Sequence, residues 1–121
     1  FNCQCIKLPT NWQLDVILSR NKLGVALGEL KCRNCTYDRY DTIICSRHKL
    51  LSGLKLSSVV AQSITKALLP LIFFVRFQDC DMFCQIKSLE GWKEERLEPK
   101  NHGVPDPEWV VHIPMSEFRS F

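Results

Sequence analysis

Two short pairs of soft ligands, Cys32-Arg33-Asn34-Cys35 and Cys45-Ser46-Arg47-His48, lie nine residues apart. Each pair offers two side chains from one turn, and two such turns close a tetrahedron around Zn²⁺. No other feature narrows the choice of folds as much. Metal closure lets a small chain hold a structure that its core alone supports only weakly. Cys3, Cys5, Cys80 and Cys84 raise the number of soft or borderline ligands to eight, enough for two four-coordinate ions. Three pairings remain open. Cys32, Cys35, Cys45 and His48 can close one site locally, which costs least loop entropy. Cys3 and Cys5 can instead join Cys32 and Cys35, leaving Cys45, His48, Cys80 and Cys84 for a second ion. In the third pairing, Cys32 and Cys35 meet Cys80 and Cys84.

The cysteine count of seven is odd, so a complete set of internal disulfides would leave one thiol over. Close spacing favours structural zinc over long-range bridges, and zinc favours the reducing cytoplasm or nucleus. The competing expectation is a secreted, disulfide-bonded domain. A chain of 121 residues reads as one domain over 1–121, and its start at Phe1 without a methionine reads as a fragment of a larger protein. The longest apolar stretch, Ala67 to Val75, is interrupted by Pro70 and followed by Arg76. It is well short of the roughly 20 residues a membrane helix needs, so no membrane insertion is expected.

The pattern of apolar residues predicts an α+β fold dominated by strands. Phe1 to Cys5 and Gly24 to Leu30 read as strands that deliver ligands to their turns, and Asn11 opens a helical or extended run through Leu18. Thr42 to Ile44 is a short β-branched run, and Lys49 to Gly53 reads as a loop. Ser57 and Ser58 can cap a helix over about 57–69, ended by Pro70. A β-hairpin over about 71–88 follows, with Leu71 to Phe77 as an apolar strand. Gly91 to Asp106 is polar, rich in turn residues and read as a loop. Trp109 to Ile113 is a last strand ended by Pro114, with Trp109 in the core.

Enzyme signatures are sparse. There is no Gly-rich phosphate loop, no Gly-x-Ser-x-Gly elbow and no His-Glu-x-x-His. Asp79 and Asp81 flank Cys80 in what reads as a turn, where their ordinary role is turn formation. Zinc held by four protein ligands has no open position for substrate, which makes it structural. Arg33, Arg39, Arg47 and Lys49 lie around the knuckles with Tyr37 and Tyr40 interleaved, a composition that can hold phosphates and stack bases. Trp92, Phe118 and Phe121 lie in the C-terminal third, where aromatic residues on loops serve as interface anchors. The expectation is therefore a non-catalytic, zinc-stabilised module that binds a protein partner within a larger assembly. An RNA- or DNA-binding zinc domain is the alternative.

Two partial resemblances accompany this reading. Cys-knuckle strands ahead of Trp109-x-x-x-Ile113-Pro114 look like the zinc-bearing C-terminal domain of the cytosolic RNA-sensing helicases, from which the Cys80/Cys84 spacing departs. Leu8-Pro9-Thr10-Asn11-Trp12 ahead of Leu30-Lys31-Cys32-Arg33-Asn34-Cys35 is similar to the order in HECT-like E2-binding proteins. Each covers a few residues and carries no functional residue over.

Overall fold

The fold grows outward from β3 (Leu23–Cys32), where small and apolar residues let neighbouring strands approach on both sides. The computed structural model describes residues 3–10, 13–60, 69–98 and 107–121. β1 (Gln4–Lys7), β2 (Val16–Arg20) and β3 form an antiparallel meander. Asn21 and Lys22 turn the chain between β2 and β3, with φ of 52° and 65°. Positive φ at both central residues is the geometry that matches the twist of a two-residue hairpin.

The chain leaves β3 through β4 (Thr42–Ser46) and α1 (Arg47–Val60) and returns as β5 (Leu71–Arg76). β5 pairs parallel with β3, from Leu27↔Leu71 to Cys32↔Arg76. Parallel neighbours require a crossover connection, and α1 lies within it. β6 (Asp81–Ile86) and the short β9 (Arg119–Ser120) complete a six-stranded sheet ordered β1-β2-β3-β5-β6-β9. A second sheet is ordered β4-β8-β7, with β7 at Glu94–Leu97 and β8 at Glu108–Pro114.

The core lies between these layers. Leu27, Leu71, Phe73, Val75 and Ile86 of the large sheet pack with Leu50 of α1 and with Ile43, Val111 and Ile113 of the small one. Each such side chain contributes about 1.5–3 kcal/mol when fully buried. Phe118 closes one end, edge-on to Phe73 at 6.0 Å between centroids. Gly53 brings α1 close to the sheet: a Cβ there would stand 2.8 Å from Leu71 Cδ2 and 3.1 Å from Leu14 Cδ2. The buried Ser57 hydroxyl donates to the Leu69 carbonyl and ties the helix to the entry of β5.

The α+β class and the strand-rich build agree with expectation, but the expected order of helix and hairpin does not. The helix is Arg47–Val60, so Lys49 to Gly53 is helical and Ser57 and Ser58 lie inside the helix rather than capping it. Residues 61–68 of the expected helix are outside the described residues. The helix serves as a crossover into a strand parallel to β3, and β5 and β6 form the expected antiparallel hairpin, set as inner strands of the large sheet. Within the expected loop of Gly91 to Asp106, Glu94–Leu97 forms β7. Trp109 is half exposed on β8 instead of closing the core.

Candidate active site

Extending the β2–β3 register one residue beyond Val16↔Gly28 sets Asp15 opposite Glu29. Asp15 is held there by backbone. Its carboxylate accepts the Leu30 N–H at 2.8 Å, and its carbonyl accepts the Leu8 N–H at 2.8 Å. One Asp15 oxygen is therefore aimed by β3 itself, the strand that carries Glu29.

Alternation along β3 sends Leu27, Glu29 and Lys31 to the face toward α1, because these pair with the inward residues Leu71, Phe73 and Val75. Glu29 is thereby buried, with its side chain only 6% exposed. Lys49, in the first turn of α1, donates to Glu29 Oε1 at 2.6 Å. The other carboxylate oxygen, Oε2, is buried without a hydrogen-bond donor. Asp15 is within hydrogen-bond range of Glu29, so a proton on Glu29 is shared with Asp15, whereas with both groups ionised neither carboxylate offers the other a proton and Oε2 has no donor. Burial raises Glu29 above the usual carboxylate range, Asp15 pushes it the same way, and the Lys49 hydrogen bond opposes both. That hydrogen bond raises Lys49 in turn.

Lys31 sits differently. Its ammonium donates to the Ile44 carbonyl of β4 at 2.6 Å, and Arg33 reaches the same oxygen at 3.4 Å. Burial lowers Lys31 below its ordinary value, and the neighbouring Arg33 adds to this.

A buried carboxylate oxygen without a donor costs roughly 1–3 kcal/mol. Such a group calls for a water, an ion or a functional reason to account for it. Paired carboxylates with a free oxygen suit a hard divalent cation. Mg²⁺ is commonly held by one or two carboxylates, with waters and substrate phosphate completing its shell. Asp15 and Glu29 supply two such carboxylates, one with an undonated oxygen, while no group of three or more His, Cys, Asp or Glu among the described residues gathers around a common point.

The expected zinc ligands are not gathered. Cys45 is buried in β4 and His48 is exposed on α1, so the two ends of that pair face different surroundings. Burial pushes the Cys45 thiol up to about 11, against the thiolate that zinc requires. Cys32 and Cys5 are exposed, while Cys3, Cys35 and Cys80 are half-buried. Cys84 is buried, its thiol also raised to about 11 by desolvation. All seven thiols are free, and no disulfide forms.

Of the expected binding residues, only Lys49 reaches the carboxylate site. Arg47 pairs with Glu94 at 3.0 Å, and Arg39 lies over the Tyr40 ring at 5.5 Å. Tyr37 and Tyr40 are exposed. Trp92 packs partly buried against the core, Phe118 is in it, and Phe121 stacks on Phe74. Sequence reading missed Asp15, Glu29 and Lys31. The available signal was an acid embedded in the apolar stretch Val25-Ala26-Leu27-Gly28-Glu29-Leu30, followed at once by Lys31.

Asp15 at the head of β2, with Glu29-Leu30-Lys31 on β3, is an Asp … Glu-x-Lys site of the kind the name PDDEXK spells in one-letter code. Leu14 stands where that name has proline. The family model described as "Phage putative PDDEXK endonuclease" matches residues 1–121, and the chain belongs to that family. Among curated proteins and solved structures, nothing matches the chain. The family match overturns the expectation of a non-catalytic protein-interaction module, because the family is named for an enzyme of nucleic-acid cleavage. The expected nucleic-acid partner is consistent with it, whereas nothing here supports the protein partner. No helix among the described residues is long and apolar enough to cross a membrane.

Proposed function

We propose that this chain is a divalent-metal-dependent endonuclease acting on DNA, with Asp15 and Glu29 as the residues that hold the cation. The observation that carries the reading is the buried, undonated Oε2 of Glu29 on a carboxylate that lies within hydrogen-bond range of Asp15. Asp15 is oriented by the Leu30 amide, so the pair is preorganised by the sheet rather than assembled by flexible loops. A Mg²⁺ ion at these carboxylates would polarise the scissile phosphate and make a bound water more acidic. The protein's own cations, Lys31 on β3 and Lys49 on α1, lie on elements that border the pair and offset the charge of an approaching phosphate. Binding through phosphates makes affinity fall with salt.

The test is conversion of supercoiled plasmid DNA by the purified chain with Mg²⁺ or with EDTA. Nicking or linearisation is expected with Mg²⁺ alone, and Asp15→Asn is expected to reduce the rate by roughly 100-fold or more while leaving the protein folded. Equal cleavage by Asp15→Asn would refute the assignment.

A further inference from the structure

The Glu-x-Lys pattern names Lys31 as the lysine of the site, yet the lysine in contact with its carboxylate is Lys49. Lys49 bonds Glu29 Oε1 at 2.6 Å from the first turn of α1, whereas Lys31 is spent on the Ile44 carbonyl of β4. The two also differ in freedom. Lys49 keeps 40% of its side chain exposed while its ammonium reaches a nearly enclosed carboxylate. An ammonium on a flexible four-carbon stem can withdraw toward water without disturbing the backbone. Lys31 is half-buried, and its bond to Ile44 ties β3 to the small sheet. Helix placement holds Lys49 where it is. Gly53 follows one turn later on the same helix face, and its close approach to Leu71 and Leu14 brings that face down onto the large sheet.

Resting on the nuclease reading above, we propose that Lys49 is a positioning residue that holds the cation's place. It neutralises Glu29 through Oε1 in the free protein, then gives up its hold on the carboxylate when a divalent ion arrives at the undonated Oε2, leaving its own charge for the phosphate. Cation and Lys49 therefore compete for one carboxylate. Lys31 has no share in that competition.

The experiment is direct Mn²⁺ binding without DNA, by isothermal titration calorimetry and by loss of the free-ion electron paramagnetic resonance signal. It uses the full chain and its Lys49→Gln, Lys49→Arg, Lys31→Gln and Asp15→Asn variants, each checked for folding by circular dichroism. Lys49→Gln removes the competitor and is expected to bind Mn²⁺ about tenfold more tightly than the parent protein, while cleaving plasmid more slowly at saturating metal. Lys49→Arg keeps the charge and is expected within about twofold of the parent, as is Lys31→Gln. The proposal is overturned if Lys49→Gln leaves the affinity unchanged, or if Lys31→Gln is the variant that tightens it. Should Lys49→Gln fail to fold, Lys49→Met is read in its place by the same criterion. Absent Mn²⁺ binding by the parent protein, or undiminished binding by Asp15→Asn, would sink the nuclease reading itself.

Discussion

Replacing Glu29 with glutamine should make the metal-free protein more stable. The carboxylate is nearly enclosed, one of its oxygens lacks a donor, and Asp15 stands opposite. Glutamine keeps an acceptor for Lys49 and presents an N–H that Asp15 can accept. Relief of a buried, undonated oxygen is worth about 1–3 kcal/mol. Against this, the hydrogen bond from Lys49 loses its charge assistance, a cost of about 1 kcal/mol for a partly exposed pair. The net gain is about 1 kcal/mol, or roughly 4 °C in melting temperature for a chain of this size. Differential scanning calorimetry in EDTA at pH 7 measures it. The pH dependence supplies a control. Glu29 is raised above its ordinary 4.5, so the native state holds this proton more tightly than the unfolded chain. Wild-type stability therefore falls as pH rises through the window that begins near 4.5, and the advantage of Glu29→Gln, widest above that window, closes as pH is lowered. Added Mg²⁺ should raise the melting temperature of the wild type and leave that of Glu29→Gln unchanged. A variant that melts about 4 °C below wild type in EDTA would refute the claim that burying this undonated carboxylate costs the fold stability.

Two further predictions concern the scaffold. Gly53→Ala places a methyl 2.8 Å from Leu71 Cδ2 and 3.1 Å from Leu14 Cδ2. Overpacking of about 1–3 kcal/mol outweighs the roughly 1 kcal/mol gained in helix propensity, so urea denaturation should show a net loss near 1 kcal/mol. Cys45 and Cys84, with thiols raised to about 11, should alkylate roughly 100-fold more slowly at pH 8 than the exposed Cys5 and Cys32. Peptide mapping of iodoacetamide-treated protein checks this, and equal labelling of Cys45 and Cys32 would contradict its place in the core.

The inner strands were legible because their chemistry is local. Leu71 to Val75 is branched or aromatic throughout, and the expected strand of Gly24 to Leu30 falls inside β3. β7 was not, because Glu94-Glu95-Arg96-Leu97 is a polar strand that exists only by pairing with β8. The helix was misplaced because Ser52, Gly53 and Ser57 interrupt its inward stripe, and Gly53 reads as a turn until the close approach to Leu71 is seen. The carboxylate site was obscured for a different reason. Asp15 and Glu29 are remote in sequence and meet only through the β2–β3 register. The cysteines, by contrast, advertise a ligand spacing in the chain itself. Cys45 shows how that misleads, since a ligand-like spacing is also what a buried strand thiol beside a helix start produces.

The most direct test of the carboxylate site is a crystal of the protein soaked in MnCl₂, with an anomalous difference map collected at the manganese edge. The account predicts a peak between Asp15 and Glu29, about 2.0–2.3 Å from a carboxylate oxygen of each. A map with no peak there, or with its only peak among the cysteines, would contradict it.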